Sequence, residues 1–137
     1  MTDTAWNQGS RLAASGASFV PIELLERIDH LDEAALDELE FGVVKVDDDG
    51  VILHTNRYEC DLSAVPNDRA VGRNYFTDVA PCTNNRLFFG TFRKGVAGRS
   101  MNLLFFYTFT YKMSPTEVKV HLYRSSEGNN WILVKRK

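Results

Sequence analysis

No stretch of this 137-residue chain approaches the roughly 20 consecutive apolar residues needed to span a bilayer. Residues 1–16 lack the basic-then-apolar pattern of a secretory signal. Both absences lead us to expect a cytoplasmic protein with no membrane partner. Cysteine is scarce: there are only Cys60 and Cys82, with no CxxC pair and no HExxH motif. His30, His54 and His121 lie far apart in the chain, so a resident metal is not expected. A reducing cytosol would keep both thiols out of disulfides. Excess positive charge is missing as well. The formal net charge is -2, which offers no basic face to nucleic acid.

What is present is the composition of one ordinary folded domain. Apolar residues make up 44% and charged residues 25%, enough for one core and too little for two. Residues 1–20 carry Gly, Ser and Ala with little periodicity, and we expect a flexible lead-in there. Residues 21–137 then form a single domain whose first part, about 21–39, is a helical cap. Pro21 suits a first helical position. Ile22, Leu25 and Ile28, with Leu24, follow as an apolar stripe at helical spacing. Asp32 is placed to N-cap a second short helix through Ala35, Leu36 and Leu39.

Phe41–Val46 reads as a strand, Asp48-Asp49-Gly50 as a hairpin turn, and Val51–His54 as the returning strand. Between Thr55 and Asn74 the pattern is broken into short turns, and Asn74–Val79 reads as one more short helix halted by Pro81. A longer helix is predicted over Asn84–Ala97, stopped by Gly98. Three strands close the chain: Met101–Met113, Val118–Tyr123 and Trp131–Val134. Tight turns between neighbouring strands imply an antiparallel sheet. Two strands, several short helices, one longer helix and three strands give an α+β class with the layout of a PAS domain. Such a layout hosts many ligands and does not settle function.

The chemistry is carried by the run Asn74-Tyr75-Phe76-Thr77-Asp78-Val79-Ala80-Pro81-Cys82-Thr83. It resembles the chromophore-attachment segment of the photoactive yellow protein family. The resemblance continues in Phe41-Gly42, Phe88-Phe89-Gly90, Gly95-Val96-Ala97, Tyr107-Thr108-Phe109, Tyr111-Lys112-Met113-Ser114-Pro115-Thr116, Val118-Lys119-Val120-His121 and Val134-Lys135-Arg136. It covers almost everything after residue 31. It implies a blue-light photoreceptor, not an enzyme, with 4-hydroxycinnamic acid (p-coumaric acid) held as a thioester on Cys82. A thiolate is a good nucleophile toward an activated acyl group. Without that context a lone cysteine is more often a small buried hydrophobe; Cys60, which has no such context, reads as a core or helix-surface thiol.

The same resemblance places Glu59 at a glutamic acid that hydrogen-bonds the chromophore's phenolate oxygen and later gives it a proton, and Ser63 at a supporting threonine. Tyr75, Val79, Ala80, Thr83, Phe109, Tyr111 and Met113 match residues that wall the pocket, and Met113 one tied to thermal recovery. Two positions depart from the pattern. Thr55 stands where the family has a phenolate-binding tyrosine, and Val65 where an arginine usually covers the ring. Tyr58, three residues on, is one candidate to supply the missing hydroxyl, and a buried water or Thr55 itself are others. Light-driven proton release from Glu59 would leave a buried carboxylate and loosen the N-terminal cap, signalling to an unidentified downstream protein from a monomer or weak dimer. The departures at 55 and 65 sustain a second reading, a chromophore-free PAS module for ligand or protein binding. A small enzyme with Cys82 as nucleophile is a third, but no motif supplies its base.

Overall fold

Segments rich in β-branched, aliphatic and aromatic residues build five strands into one antiparallel sheet among the described residues, 18–110 and 115–137 of this computed structural model. The strands are β1 (Gly42–Val46), β2 (Ile52–Thr55), β3 (Asn102–Phe109), β4 (Thr116–Arg124) and β5 (Asn130–Arg136), in the spatial order β2-β1-β5-β4-β3. The first and last strands therefore meet in the middle of the sheet, with Gly42 opposite Val134 and Val46 opposite Asn130. The turn from β1 to β2 is closed by Asp47, whose carboxylate accepts from the N–H groups of Asp49 and Val51, each at 2.9 Å. Gly50 there has φ +92°, a conformation that glycine adopts without strain.

Strand period 2 sorts the side chains onto two faces. Val44, Val46, Ile52, Val118, Val120, Leu122, Ile132 and Val134 belong to one core. Val43, Trp131 and Leu133 belong to another on the opposite face. The second core is covered by the N-terminal cap: α1 (Ile22–Arg27), a 3-10 turn (Ile28–His30) and α2 (Glu33–Asp37). Helices of five or six residues are too short to persist alone, so docking of Val20, Leu24, Leu25, Ile28 and Leu36 holds them. Asp32 caps α2 as expected, accepting from Ala35 N–H at 2.9 Å. Pro21 is the extended residue just before α1 rather than its first helical residue. Trp131 ties the cap to the sheet by donating to Asp29 at 2.8 Å.

The first core is covered by the segment between β2 and β3. It holds α3 (Arg57–Ser63), α4 (Asn67–Ala70), a single wide π-type turn (Tyr75–Val79), a 3-10 turn (Pro81–Thr83) and α5 (Phe89–Ala97). The longer helix begins at Phe89, not Asn84. Asn85 takes the Phe88 N–H with its side chain at 2.9 Å and the Gly90 N–H with its carbonyl at 3.0 Å, so local bonds displace the first helical turn. β3 ends at Phe109, which faces the first residue of β4, Thr116. The expected continuation of β3 to Met113 and the turn residue Ser114 lie outside the described residues, as does the lead-in before Ser18.

Candidate functional site

The site is organised by Asn56, a fully buried residue that caps α3. Its Oδ1 accepts from Val43 N–H at 2.9 Å and Glu59 N–H at 3.1 Å. Its Nδ2 donates to the carbonyls of Leu36 at 2.8 Å and Phe41 at 3.0 Å. One amide thus pins the helix start to the sheet and to the cap. Asn56-x-x-Glu59 has the spacing of a capping box, in which the acid would turn back to the cap residue's own N–H. That N–H is already taken by Val43 carbonyl at 3.0 Å, and the Glu59 side chain is buried instead.

Glu59 is 2% exposed, and its Oε1 has no hydrogen-bond partner among the described residues. Burial pushes its pKa up to about 8, so at neutral pH it is a carboxylic acid and a proton donor. Gly42 makes room for it. A Cβ at position 42 would lie 2.7 Å from Oε1.

Tyr75 opens the π-type turn and is fully buried, and its hydroxyl likewise has no partner among the described residues. Its ring lies 5.3 Å from Phe76 and 6.3 Å from Phe88, centroid to centroid. Val79 and Ala80 continue the same wall and are buried in the same core. Thr83 is buried, with its hydroxyl donated to Ala80 carbonyl at 2.6 Å. Phe109 is partly buried against this core. Tyr111 and Met113 lie outside the described residues.

Cys82 follows that wall and is half-buried, without a disulfide. It lines an open cleft of about 650 Å³ together with Asn85, Tyr107, Thr108 and Val118. Its carbonyl accepts from the Tyr107 hydroxyl at 2.5 Å and from Asn85 at 3.3 Å, and Asn85 also donates to the Tyr107 oxygen at 2.6 Å. Burial raises the pKa of Tyr107, which keeps its proton. Sequence reading singled out neither Asn56, Asn85 nor Tyr107 as site residues. The capping-box spacing at 56–59 was the available signal for the first. Nothing local marks Tyr107, whose partner Cys82 lies 25 residues away in the chain; Asn85 is only three residues from Cys82, but its other partner, Tyr107, is 22 residues away.

Thr55 is buried but engaged elsewhere. Its hydroxyl donates to Asn67 at 3.1 Å and lies 3.3 Å from the Cys60 sulfur. The Tyr58 hydroxyl accepts from Arg136 N–H, at the end of β5, at 3.2 Å. Ser63 accepts from Val65 N–H at 3.2 Å in the turn that ends α3. Val65 packs on the first core and shares a shallow depression with Arg69, Arg73 and Val79. Tyr75, Val79 and Ala80 belong to one core, and Tyr75 lies within electrostatic reach of both Glu59 and Cys82, while the hydroxyls of Thr55 and Tyr58 are directed to other partners. No cluster of metal-ligating side chains occurs among the described residues. No helix there is long and apolar enough to cross a membrane.

The PAS fold family matches residues 30–134. A photoactive yellow protein of Rhodothalassium salexigens is 43% identical over 107 residues, covering 77% of this chain and 86% of that one. One from Halochromatium salexigens is 37% identical over 108 residues, covering 78% and 86%. The crystal structure of the photoactive yellow protein domain from the sensor histidine kinase Ppr of Rhodospirillum centenum superimposes with a TM-score of 0.77. It is 37% identical and covers 81% of this chain and 98% of that one.

Proposed function

This chain belongs to the photoactive yellow protein family, and on that footing we propose that it is a blue-light photoreceptor carrying a 4-hydroxycinnamoyl group as a thioester on Cys82. One observation carries the reading: a buried carboxylic acid, Glu59, with an unspent oxygen in the core that Cys82 borders. A buried acid without a partner is costly to keep in a core built only for stability. A phenolate-bearing ligand gives it a purpose, so the residues present fit the group. When bound, that group supplies visible absorption and a light-driven isomerisation.

The chain's own residues do the rest. Cys82 attacks the acyl carbon of an activated hydroxycinnamic acid; a C–S bond forms and the activating group leaves. Tyr107 and Asn85 hold the Cys82 backbone in place. Glu59 keeps its proton in the dark and shares it with an anionic oxygen through a charge-assisted hydrogen bond. After light it gives that proton up and becomes a buried carboxylate, a state that favours local opening.

Asn56 supplies the route outward. It bonds Glu59 N–H on one side and the Leu36 carbonyl of α2 on the other. The cap is held mostly by docking, so it is the first element expected to loosen. Hydrogen exchange under continuous blue light should rise between about Pro21 and Leu39. Equal protection in light and dark would put the output elsewhere.

The engagement of Thr55 with Asn67 and Cys60 favours a second reading, a PAS module without chromophore. Colour separates the two. Reconstitution with an activated hydroxycinnamic acid gives a yellow protein if the receptor reading holds and a colourless one if the module reading does.

A further inference from the structure

An anion placed in the first core has few donors to turn to. Among the described buried polar groups, Asn56 spends both ends of its amide on backbone and Thr83 its hydroxyl on Ala80. Thr55 is bonded to Asn67. Asn130 donates to Asp48 at 2.9 Å. His121 faces the cap, 2.5 Å from Ser18 and 2.6 Å from Asn102. Among the described residues, three buried side-chain atoms have no partner: His54 Nε2, Glu59 Oε1 and the Tyr75 hydroxyl oxygen. His54 pairs across the ladder with Lys45, which is itself opposite Trp131 of the second core. Cross-strand partners share a face, so His54 lies on the far side of the sheet. Glu59 and Tyr75 remain, both on the Cys82 side.

We propose that Tyr75 is the second hydrogen-bond donor to the chromophore's phenolate oxygen, beside Glu59. This rests on the receptor reading above. It turns Tyr75 from a wall residue into a ligand-binding one, and it leaves Tyr58 as a packing residue tied to Arg136. Electrostatics agree with the placement. Burial raises the Tyr75 pKa well above its ordinary value, and charge on Glu59, Cys82 or Tyr107 raises it further. The hydroxyl therefore stays protonated, and it sits within electrostatic reach of both the acid and the attachment sulfur. An unpaired buried phenol is unfavourable in the ligand-free protein, and pairing with an incoming anion relieves it.

The test compares wild type, Tyr75→Phe and Tyr58→Phe. In dark-state pH titrations of the reconstituted proteins, Tyr75→Phe should raise the chromophore pKa by about one to two units, the size of one lost bond to a charged group. Its absorption should also move to the red, while Tyr58→Phe matches wild type. The ligand-free proteins give a second readout. Removing an orphaned hydroxyl should raise the denaturation midpoint of ligand-free Tyr75→Phe. A Tyr75→Phe titration identical to wild type overturns the proposal, as does a shift carried by Tyr58→Phe or a lowered midpoint of the ligand-free variant. A wild type that takes up no chromophore overturns the receptor reading, and this proposal with it; one that loads normally leaves only the donor assignment at stake.

Discussion

Replacing Cys82 by serine is expected to abolish chromophore loading, with no adduct mass after reconstitution, while Cys60→Ser loads like wild type. The difference is chemical and positional. A thiol ionises near neutral pH far more readily than a serine hydroxyl, and the ionised form is the nucleophile. Cys82 lines the 650 Å³ cleft and its backbone is clamped by Tyr107 and Asn85. Cys60, on α3, has its sulfur hydrogen-bonded to the Thr55 hydroxyl at the end of β2 and lines no part of that cleft. Intact-mass measurement reads the outcome directly, and an adduct that persists in Cys82→Ser would refute the assignment.

Glu59→Gln is expected to shift the dark absorption to the red, remove the infrared signal of a protonated carboxylic acid and block the proton-transfer step. Glutamine keeps a donor but makes a weaker bond to an anion, and it has no acidic proton to give. The same substitution has a consequence without chromophore. The folded pKa of Glu59 is about 8 against an ordinary 4.5. Below 4.5 both folded and unfolded states hold the proton and no penalty arises. Between 4.5 and about 8 the unfolded chain releases it while the fold retains it, so stability falls as pH rises, by at most on the order of 5 kcal/mol. Above 8 the loss is complete. Denaturation midpoints of the ligand-free wild type should therefore decline relative to Glu59→Gln across that window. Parallel curves would mean that Glu59 is ionised in the fold at neutral pH.

The sheet was legible because its signals are local. Asp48-Asp49-Gly50 marks a hairpin, and alternation such as Val118, Val120, Leu122 marks a strand with one face inward. The order of the remaining elements carried the rest of the layout, and the match to the PAS fold over residues 30–134 agrees. Element edges were less legible. The start of α5 depends on how the side chain of Asn85 bonds, which periodicity does not encode. The donor set at the site was the hardest to read. Tyr58 and Thr55 are close to Glu59 in sequence, yet their hydroxyls find Arg136 and Asn67. Tyr75 is 16 residues from Glu59 and reads as an ordinary aromatic. Only the three-dimensional tally of satisfied and unsatisfied hydroxyls distinguishes it.

Whether this chain senses light comes down to a light-minus-dark absorption spectrum of the protein reconstituted with activated 4-hydroxycinnamic acid. A covalent chromophore held as a phenolate should absorb in the blue, bleach under blue light as Glu59 gives up its proton, and return in the dark. A protein that stays colourless, or one whose colour is indifferent to blue light, would contradict the photoreceptor assignment.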